Sequence, residues 1–164
     1  MTAELRVGLY GLGTVGQGLV ELLHVNAAAI EQQAGRPIRL VAVASRTPRP
    51  DVNLHGAAFS TATDALIGSN EVDVVVELIG GETTALDLSR AALRSGKSLV
   101  TGNKALLALH GEELFALAQE NAVGVGLEAA VAGGIPLINA LVSGLAVIRL
   151  AGWPASSTVP VTTF

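Results

Sequence analysis

The sequence feature that most constrains this chain is a glycine motif near the N-terminus. Residues 11–16 read Gly-Leu-Gly-Thr-Val-Gly, which is the pattern G-x-G-x-x-G. A mostly apolar run over residues 5–10 precedes the motif, and apolar residues at helical spacing over 19–23 follow it. A strand, a tight glycine turn and a helix, in that order within about 30 residues, form the context in which this motif indicates dinucleotide binding.

The residues of the motif have separate predicted roles. Gly11 allows the tight turn, Gly13 lets the backbone approach a pyrophosphate without a Cβ, and Gly16 lets the helix lie close to the strand. Thr14 and Val15 stand in the first helical turn, where free N–H groups and the positive end of the helix dipole favour phosphate. We therefore predict cofactor contacts along the whole motif. The competing interpretation is a glycine-rich turn that binds nothing.

The composition favours a parallel sheet with helices on both faces. The chain has 164 residues, of which 50% are hydrophobic and only 3% aromatic. This length predicts one domain with a substantial core, and that core must consist mainly of Val, Leu, Ile and Ala. Strands that are buried on both faces have this composition. The expected fold class is therefore α/β, a doubly wound parallel sheet of the Rossmann type.

Charge, cysteine content and hydropathy exclude several other classes. With 10 basic and 14 acidic residues the formal charge is −4 and no basic stripe is visible, so we expect no nucleic-acid partner. The absence of cysteine excludes disulfides and thiolate metal sites, and the three scattered histidines lack metal-ligand spacing. The N-terminus lacks the pattern of a signal peptide, and no apolar run reaches the length of a membrane span. These observations favour a cytoplasmic protein without membrane contact.

Turn residues and hydrophobic periodicity predict the order of the other elements. Gly35-Arg36-Pro37 ends the first helix, and His110-Gly111-Glu112 interrupts the last helical pattern before residue 122. Residues 47–60 have the composition of a loop. Further strands are predicted at 38–44, 72–79, 98–101 and 122–127, and helices at 15–33, 63–67, 83–95, 112–121 and from 136 to about 143.

The end of the second strand bears on the choice between the two nicotinamide cofactors. An NAD-selective site has an Asp or Glu there, which binds the ribose 2′-hydroxyl. Here the residues are Ser45-Arg46-Thr47-Pro48-Arg49, with no carboxylate. Because an arginine can bind a 2′-phosphate bidentately, Ser45 and Arg46 favour NADP(H), or use of both cofactors. The alternative is that both arginines are solvated loop charges.

Small and charged residues follow the next two predicted strands, at the edge that faces the ligand crevice in doubly wound sheets. Gly80 leaves room for a ribose or a nicotinamide, and Thr101 and Lys104 follow the same edge. Lys104 contacts the cofactor, the substrate or both, unless it is a solvated lysine in a turn. Glu77 either points into the crevice or pairs with a structural partner, and the sequence alone leaves both interpretations open.

With these residues identified, the chain resembles homoserine dehydrogenase. Three segments carry the resemblance, which runs from about residue 5 to 145: residues 11–16, residues 101–105 (Thr-Gly-Asn-Lys-Ala) and residues 128–136 (Glu-Ala-Ala-Val-Ala-Gly-Gly-Ile-Pro). Members of that family oxidise L-homoserine reversibly to L-aspartate 4-semialdehyde with NAD(P), in threonine and methionine biosynthesis. Oxidoreductases of the aspartate-semialdehyde or glyceraldehyde-phosphate type share the cofactor fold but use a catalytic cysteine, which this chain lacks.

The resemblance also implies roles for single residues. The pyrophosphate would lie at residues 11–16, and Lys104 would lie near both the nicotinamide and the substrate. From the residues alone, the small-residue loop 128–136 suits a monovalent cation, closure over a nicotinamide, or packing. By resemblance, it would correspond to the family's sodium site, with Glu128 and the carbonyls of Val131, Gly133 and Ile135 as ligands.

No catalytic residue is expected within this chain, because the family carries the catalytic lysine and the acidic substrate-binding residues in a separate substrate domain. Full-length members would bind homoserine or aspartate semialdehyde and form homo-oligomers. We therefore expect residues 1–145 to form an NAD(P)-binding domain that turns over little substrate alone. The alternative is a non-catalytic NAD(P)-binding module.

The last residues fit neither a helical nor a strand period. We tested a shifted reading frame, in which the third base of each codon is joined to the first two bases of the next codon. In this frame Trp153-Pro154 must encode Ala. The junctions that follow permit Gly, Ile, Ile, Asn, Gly, Thr, Gly, Asn, Tyr and Phe, and the resemblance implies a segment like A-G-I-x-N-G-T-x-N-Y at this place. We therefore expect residues 146–164 to be an aberrant tail, produced by a frameshift near residues 146–150.

Overall fold

A parallel β-sheet lies at the centre of the structure, a computed structural model that describes residues 4–127. Its strand order is β3-β2-β1-β4-β5-β6, and every pair of neighbouring strands is parallel. The strands are β1 (Leu5–Tyr10), β2 (Ile38–Ala44), β3 (Ala58–Ser60), β4 (Val74–Glu77), β5 (Ser98–Thr101) and β6 (Val125–Leu127). The order reverses between β1 and β4, and the crevice at such a reversal is where doubly wound sheets bind ligands.

Helices connect all consecutive strands except β2 and β3, and they cover both faces of the sheet. They are α1 (Thr14–Val25), α2 (Ala27–Ala34), α3 (Ala65–Gly68), α4 (Thr83–Arg94) and α5 (Lys104–Glu120). The expected α/β, doubly wound parallel fold is confirmed. None of the helices within residues 4–127 is both long enough and apolar enough to cross a membrane.

The core consists of two apolar clusters, one on each face of the sheet, and the alternation of side chains in β4 separates them. Val74 and Val76 pack with residues of α1 and α2, whereas Val75 packs with residues of α3, α4 and α5. All three valines are at most 1% exposed. Successive residues of a strand point to opposite faces, so a continuous apolar run is what a doubly covered strand requires.

Two of the helix predictions were wrong, each because a tertiary or capping contact overrides the local pattern. The helix predicted over 15–33 is two helices, since Asn26 ends α1 and its side-chain amide donates to the carbonyl of Leu22 (3.2 Å). The break predicted at residues 110–112 does not occur. Gly111 is buried in the middle of α5 and lies on the same packed face as Leu114 and Ala118, which offsets the cost of about 1 kcal/mol for glycine inside a helix.

The loop predicted over residues 47–60 ends in a short strand, β3, which pairs with β2 at the edge of the sheet. Ala58, Phe59 and Ser60 lie opposite Ala42, Val43 and Ala44, in that order. Three residues at an edge show too little alternation to be distinguished from a loop by sequence pattern. The strand matters for the site, because the amide of Ser45 donates to the carbonyl of Ser60 (3.1 Å) and so fixes the end of β2.

Helices α4 and α5 end in the same backbone motif but with different residues at its left-handed position. After α4 this residue is Gly96 (φ 72°), and after α5 it is Ala122 (φ 53°). In both, the next residue donates back to the helix: Lys97 to the carbonyl of Ala92, and Val123 to that of Ala118, each at 3.0 Å. Glycine is the usual residue here, because a Cβ is strained in the left-handed region.

We predict that Ala122→Gly stabilises the protein by roughly 0.5–1 kcal/mol, because relief of the left-handed strain exceeds the added chain entropy of glycine. The reverse change at the matched position, Gly96→Ala, should destabilise by a similar amount. Urea unfolding of the two variants measures both changes. Equal destabilisation by both substitutions would contradict this account of the motif.

Candidate functional site

The turn between β1 and α1 is built around Gly11, which has a positive φ of 99°. A Cβ at this residue would lie 2.8 Å from the carbonyl oxygen of Leu78, in the loop that follows β4. The Gly11 amide donates to the carbonyl of Ala44 at the end of β2 (2.9 Å). The turn therefore touches the ends of both strands that flank β1, and only glycine fits it.

Gly16 brings α1 against this turn. It is buried in the first part of the helix, and a Cβ there would lie 2.0 Å from the carbonyl oxygen of Gly11. Backbone atoms occupy that position, so no rotation of a side chain would make room for it. The close approach that the motif predicts for Gly16 is thus present.

Gly13 is the N-cap residue of α1 and faces open space. Its φ is −75° and its ψ is −170°, and no atom of residues 4–127 lies within 4 Å of the position that a Cβ would take. Thr14 and Val15, in the first turn, are exposed, and no side chain in the described part of the chain caps the helix. Unpaired amides at a helix N-terminus bind anions, so this turn has the donors and the free space that a phosphate needs.

At the end of β2, one cationic side chain has no partner among residues 4–127. Arg46 is exposed, and its guanidinium forms no hydrogen bond or ion pair with any residue in 4–127. Arg49, by contrast, is paired with Asp51 at 2.9 Å, and this hydrogen bond holds the pKa of the Asp51 carboxyl below its usual value. Of the two arginines in the predicted 2′-phosphate region, Arg46 is therefore the one that is available to a ligand.

A cleft of about 320 Å³ lies on the other side of the switch point, along the carboxyl ends of β4 and β5. It brings Val15 from the glycine motif together with two other predicted site residues, Gly80 and Lys104. Lys104 is the first residue of α5 and is exposed. The full lining is Val15, Glu77, Leu78, Gly80, Gly102, Asn103 and Lys104.

Glu77 is fully buried, and its carboxylate accepts hydrogen bonds from within the protein. One oxygen accepts from the amides of Ile79 (2.8 Å) and Gly80 (3.2 Å), and the other from the hydroxyl of Thr101 (2.5 Å). The sequence left open whether Glu77 points into the crevice or pairs with structural partners: its carboxylate has structural partners, and the residue also lines the cleft. Burial of an ionised carboxylate is costly unless several donors satisfy it.

Thr101 and Asn103 complete this arrangement. Thr101 is 1% exposed and its hydroxyl is already engaged with Glu77, so this side chain lies behind the cleft surface. Asn103, which the sequence analysis did not single out, caps α5 through its side-chain oxygen and the amide of Leu106 (3.1 Å). An Asn placed just before a helical pattern is an N-cap signal, and this signal was available in the sequence.

The predicted sodium ligands, Glu128, Val131, Gly133 and Ile135, lie outside the described residues, as does the tail at 146–164. Within residues 4–127, no group of three or more His, Cys, Asp or Glu side chains is arranged to hold a metal ion.

Comparison with known proteins finds homoserine dehydrogenases among the similar sequences and structures. The family model for the NAD-binding domain of homoserine dehydrogenase matches residues 11–128. The homoserine dehydrogenase of Pseudomonas aeruginosa is 49% identical over 146 residues, and that of Neisseria gonorrhoeae is 45% identical over 145 residues. Each match covers 88% of this chain and 33% of the relative, so the chain spans about one third of the length of these curated relatives.

A solved structure gives the same result for the fold. The crystal structure of a homoserine dehydrogenase from Thiobacillus denitrificans matches with a TM-score of 0.75 at 46% sequence identity. The match covers 88% of this chain and 34% of that one.

We predict that Gly16→Ala destabilises the protein by about 3 kcal/mol or more, because its Cβ would overlap the backbone carbonyl of Gly11. Gly18→Ala is the matched control: it lies in the same helix, with no atom within 4 Å of its Cβ position. That change should stabilise by roughly 0.5–1 kcal/mol through helix propensity. Thermal unfolding of both variants tests the contact, and a Gly16→Ala variant as stable as Gly18→Ala would disprove it.

Proposed function

Because this chain belongs to the homoserine dehydrogenase NAD-binding domain family, we propose that it binds NADP(H) or NAD(H) across the carboxyl edge of its sheet. The observation that carries the proposal is the uncapped N-terminus of α1 beside Gly13, where a phosphate can reach the backbone amides unobstructed. Gly11 and Gly16 support it, because a Cβ at either residue would displace this cradle. The chain's own residues therefore fit the cofactor.

The positions of the other site residues support one orientation of the bound dinucleotide. With the pyrophosphate at residues 11–16, the adenosine ribose lies toward the end of β2, at Ser45 and Arg46. The nicotinamide then lies on the other side of the switch point, in the cleft with Gly80 and Lys104. A dinucleotide in this orientation spans the reversal of strand order between β1 and β4.

We propose NADP(H) as the preferred cofactor, with Arg46 binding the 2′-phosphate. The support is the guanidinium of Arg46, which has no partner among residues 4–127, and the absence of a carboxylate from residues 45–49. A carboxylate at this strand end would instead select the 2′-hydroxyl of NAD.

We propose that the whole protein acts as a homoserine dehydrogenase, with homoserine and aspartate semialdehyde as its substrate pair. When bound, the nicotinamide accepts or donates a hydride at C4. Residues 11–16 hold the phosphates, and Lys104 lies at the nicotinamide end, near the substrate. By the resemblance, the acid–base groups for the substrate hydroxyl would lie in the separate substrate domain of the family. We therefore propose that residues 1–164 alone bind cofactor but turn over little.

We also propose a sodium site and domain bounds for residues outside 4–127, and a location and oligomeric state for the whole protein. The support is the resemblance carried by residues 128–136 and the reading frame of the last residues. Glu128 and the carbonyls of Val131, Gly133 and Ile135 form a sodium site, since hard cations take oxygen ligands. Residues 1–145 form the cofactor domain and 146–164 a frameshifted tail, and the whole enzyme is a cytoplasmic homo-oligomer.

We predict that Gly13→Ala raises the dissociation constant for NADPH at least about tenfold. It should lower stability by about 1 kcal/mol at most, because Ala is a poorer N-cap than Gly. The added methyl meets no protein atom but occupies the space through which a phosphate approaches the amides. Fluorescence titration with NADPH measures the affinity, thermal unfolding checks the fold, and Gly18→Ala, one turn further along α1, is the control. A Gly13→Ala variant with wild-type affinity would show that no phosphate binds at this turn.

We predict that Arg46→Ala weakens NADPH binding by roughly tenfold and leaves NADH binding within about twofold, because one charge-assisted hydrogen-bonded contact is lost. Arg49→Ala is the matched control, since Arg49 is already paired with Asp51, and it should change neither affinity appreciably. Parallel titrations with the two reduced cofactors measure the ratio. If Arg46→Ala changed both affinities equally, Arg46 would have no role in cofactor choice.

A further inference from the structure

The hydrogen bonds to the buried carboxylate of Glu77 do more than satisfy its charge, because they also join two parts of the cleft wall. It lies at the carboxyl end of β4, in register with Tyr10 of β1 and Thr101 of β5. Within residues 4–127 the Glu77 carboxylate forms no ion pair. Its hydrogen-bond donors are two amides of the loop after β4 and the hydroxyl of Thr101. An apolar residue of similar size would remove the cost of burying a charge, yet it could not hold these donors.

These hydrogen bonds form a closed circuit between the loop after β4 and the start of α5. Glu77 accepts from the amides of Ile79 and Gly80 and from the hydroxyl of Thr101. The Thr101 hydroxyl oxygen in turn accepts from the amide of Asn103 (3.0 Å), whose side-chain amide donates to the carbonyl of Gly81. The two loops are therefore tied together twice, once through Thr101 and once through Asn103.

The circuit forms the wall of the cleft on the nicotinamide side of the switch point. Glu77, Gly80 and Asn103 all line the cleft, and the residue after Asn103 is Lys104. Because Asn103 also caps α5, the circuit fixes the position from which Lys104 starts. Within residues 4–127, no amide of the phosphate turn at residues 11–16 donates a hydrogen bond to the Glu77 side chain.

We propose that Glu77 is a positioning residue for the nicotinamide subsite: through Thr101 and Asn103 it holds the loop 79–81 and Lys104 in the geometry that receives the nicotinamide ring. This rests on the proposed function, since it requires a dinucleotide in the cleft. It assigns Glu77 no contact with the reacting atoms. Its effect is confined to the nicotinamide end of the ligand and does not extend to the phosphates.

Because the proposed effect is limited to the nicotinamide end, the experiment compares variants in their binding of ligands with and without nicotinamide. Glu77→Gln keeps the size of the side chain but replaces one acceptor oxygen with an NH2 group. Facing Thr101, this group reverses the hydrogen bond to the hydroxyl, and facing the loop after β4, it removes the two amide bonds. Thr101→Val removes the hydroxyl and keeps the shape, and Thr101→Ser keeps the hydroxyl. Glu113→Gln is the matched control, because Glu113 is a glutamate on α5 that pairs with Arg90 (2.6 Å), away from the cleft lining.

Each variant of the 164-residue chain is titrated with NADPH and with 2′-phospho-ADP-ribose, which is NADP without its nicotinamide. NADH and ADP-ribose serve as a second pair. We expect Glu77→Gln and Thr101→Val to weaken NADPH binding by about tenfold and to leave binding of the nicotinamide-free ligand within about twofold. Thr101→Ser and Glu113→Gln should bind both ligands like the wild type.

Two results would overturn the positioning role. One is an equal loss of affinity for NADPH and for the nicotinamide-free ligand, which general loosening of the fold would produce. The other is unchanged affinity for NADPH in both Glu77→Gln and Thr101→Val. If Glu77→Gln does not fold, the comparison of Thr101→Val with Thr101→Ser decides alone. A wild-type chain that binds neither ligand would instead refute the proposed function, and the positioning role would fall with it.

Discussion

The contact on which the rest of the structure depends is that between Gly16 and the carbonyl of Gly11. A Cβ at residue 16 would come within 2.0 Å of that oxygen, so α1 can lie this close to the turn only because the residue is glycine. The contact directs the N-terminus of α1 toward the point where the strand order reverses. The first turn then borders the cleft, which Val15 lines, and the free amides and the dipole of a helix N-terminus both attract phosphate.

The parallel sheet places two different kinds of wall on either side of this turn. On the β2 side the cleft edge is open, and the exposed Arg46 is the cation available to a ligand there. On the β4–β5 side the wall is a hydrogen-bonded circuit anchored on the buried Glu77. Since buried strands leave few polar side chains near the edge, these few residues are the ones that we propose to give specificity at each end of a dinucleotide. In this proposal the glycine turn supplies the phosphate site, and the strand ends supply the discrimination.

Much of this arrangement could be predicted from the sequence, and the limits have physical causes. The bounds of β2 and β5 and the roles of Gly11 and Gly16 follow from local pattern, because the strand period and the glycine spacing are properties of neighbouring residues. The direction of the Glu77 side chain does not, since it depends on Thr101, which lies 24 residues away along the chain. The continuous helix through Gly111 was missed for a related reason: its stability comes from packing against α4 and the sheet, which no local window contains.

The most direct test of the central claim is an NMR titration of the wild-type chain with NADPH, which follows the backbone amide signals. The account predicts saturable shifts that concentrate at residues 11–16, 45–47, 78–81 and 101–104. The opposite edge of the sheet has a cavity of its own, lined among others by Arg36, Asp73 and Lys97, and its signals should remain unchanged. Shifts confined to that edge, or no shifts at millimolar NADPH, would contradict the claim that the glycine turn binds a dinucleotide.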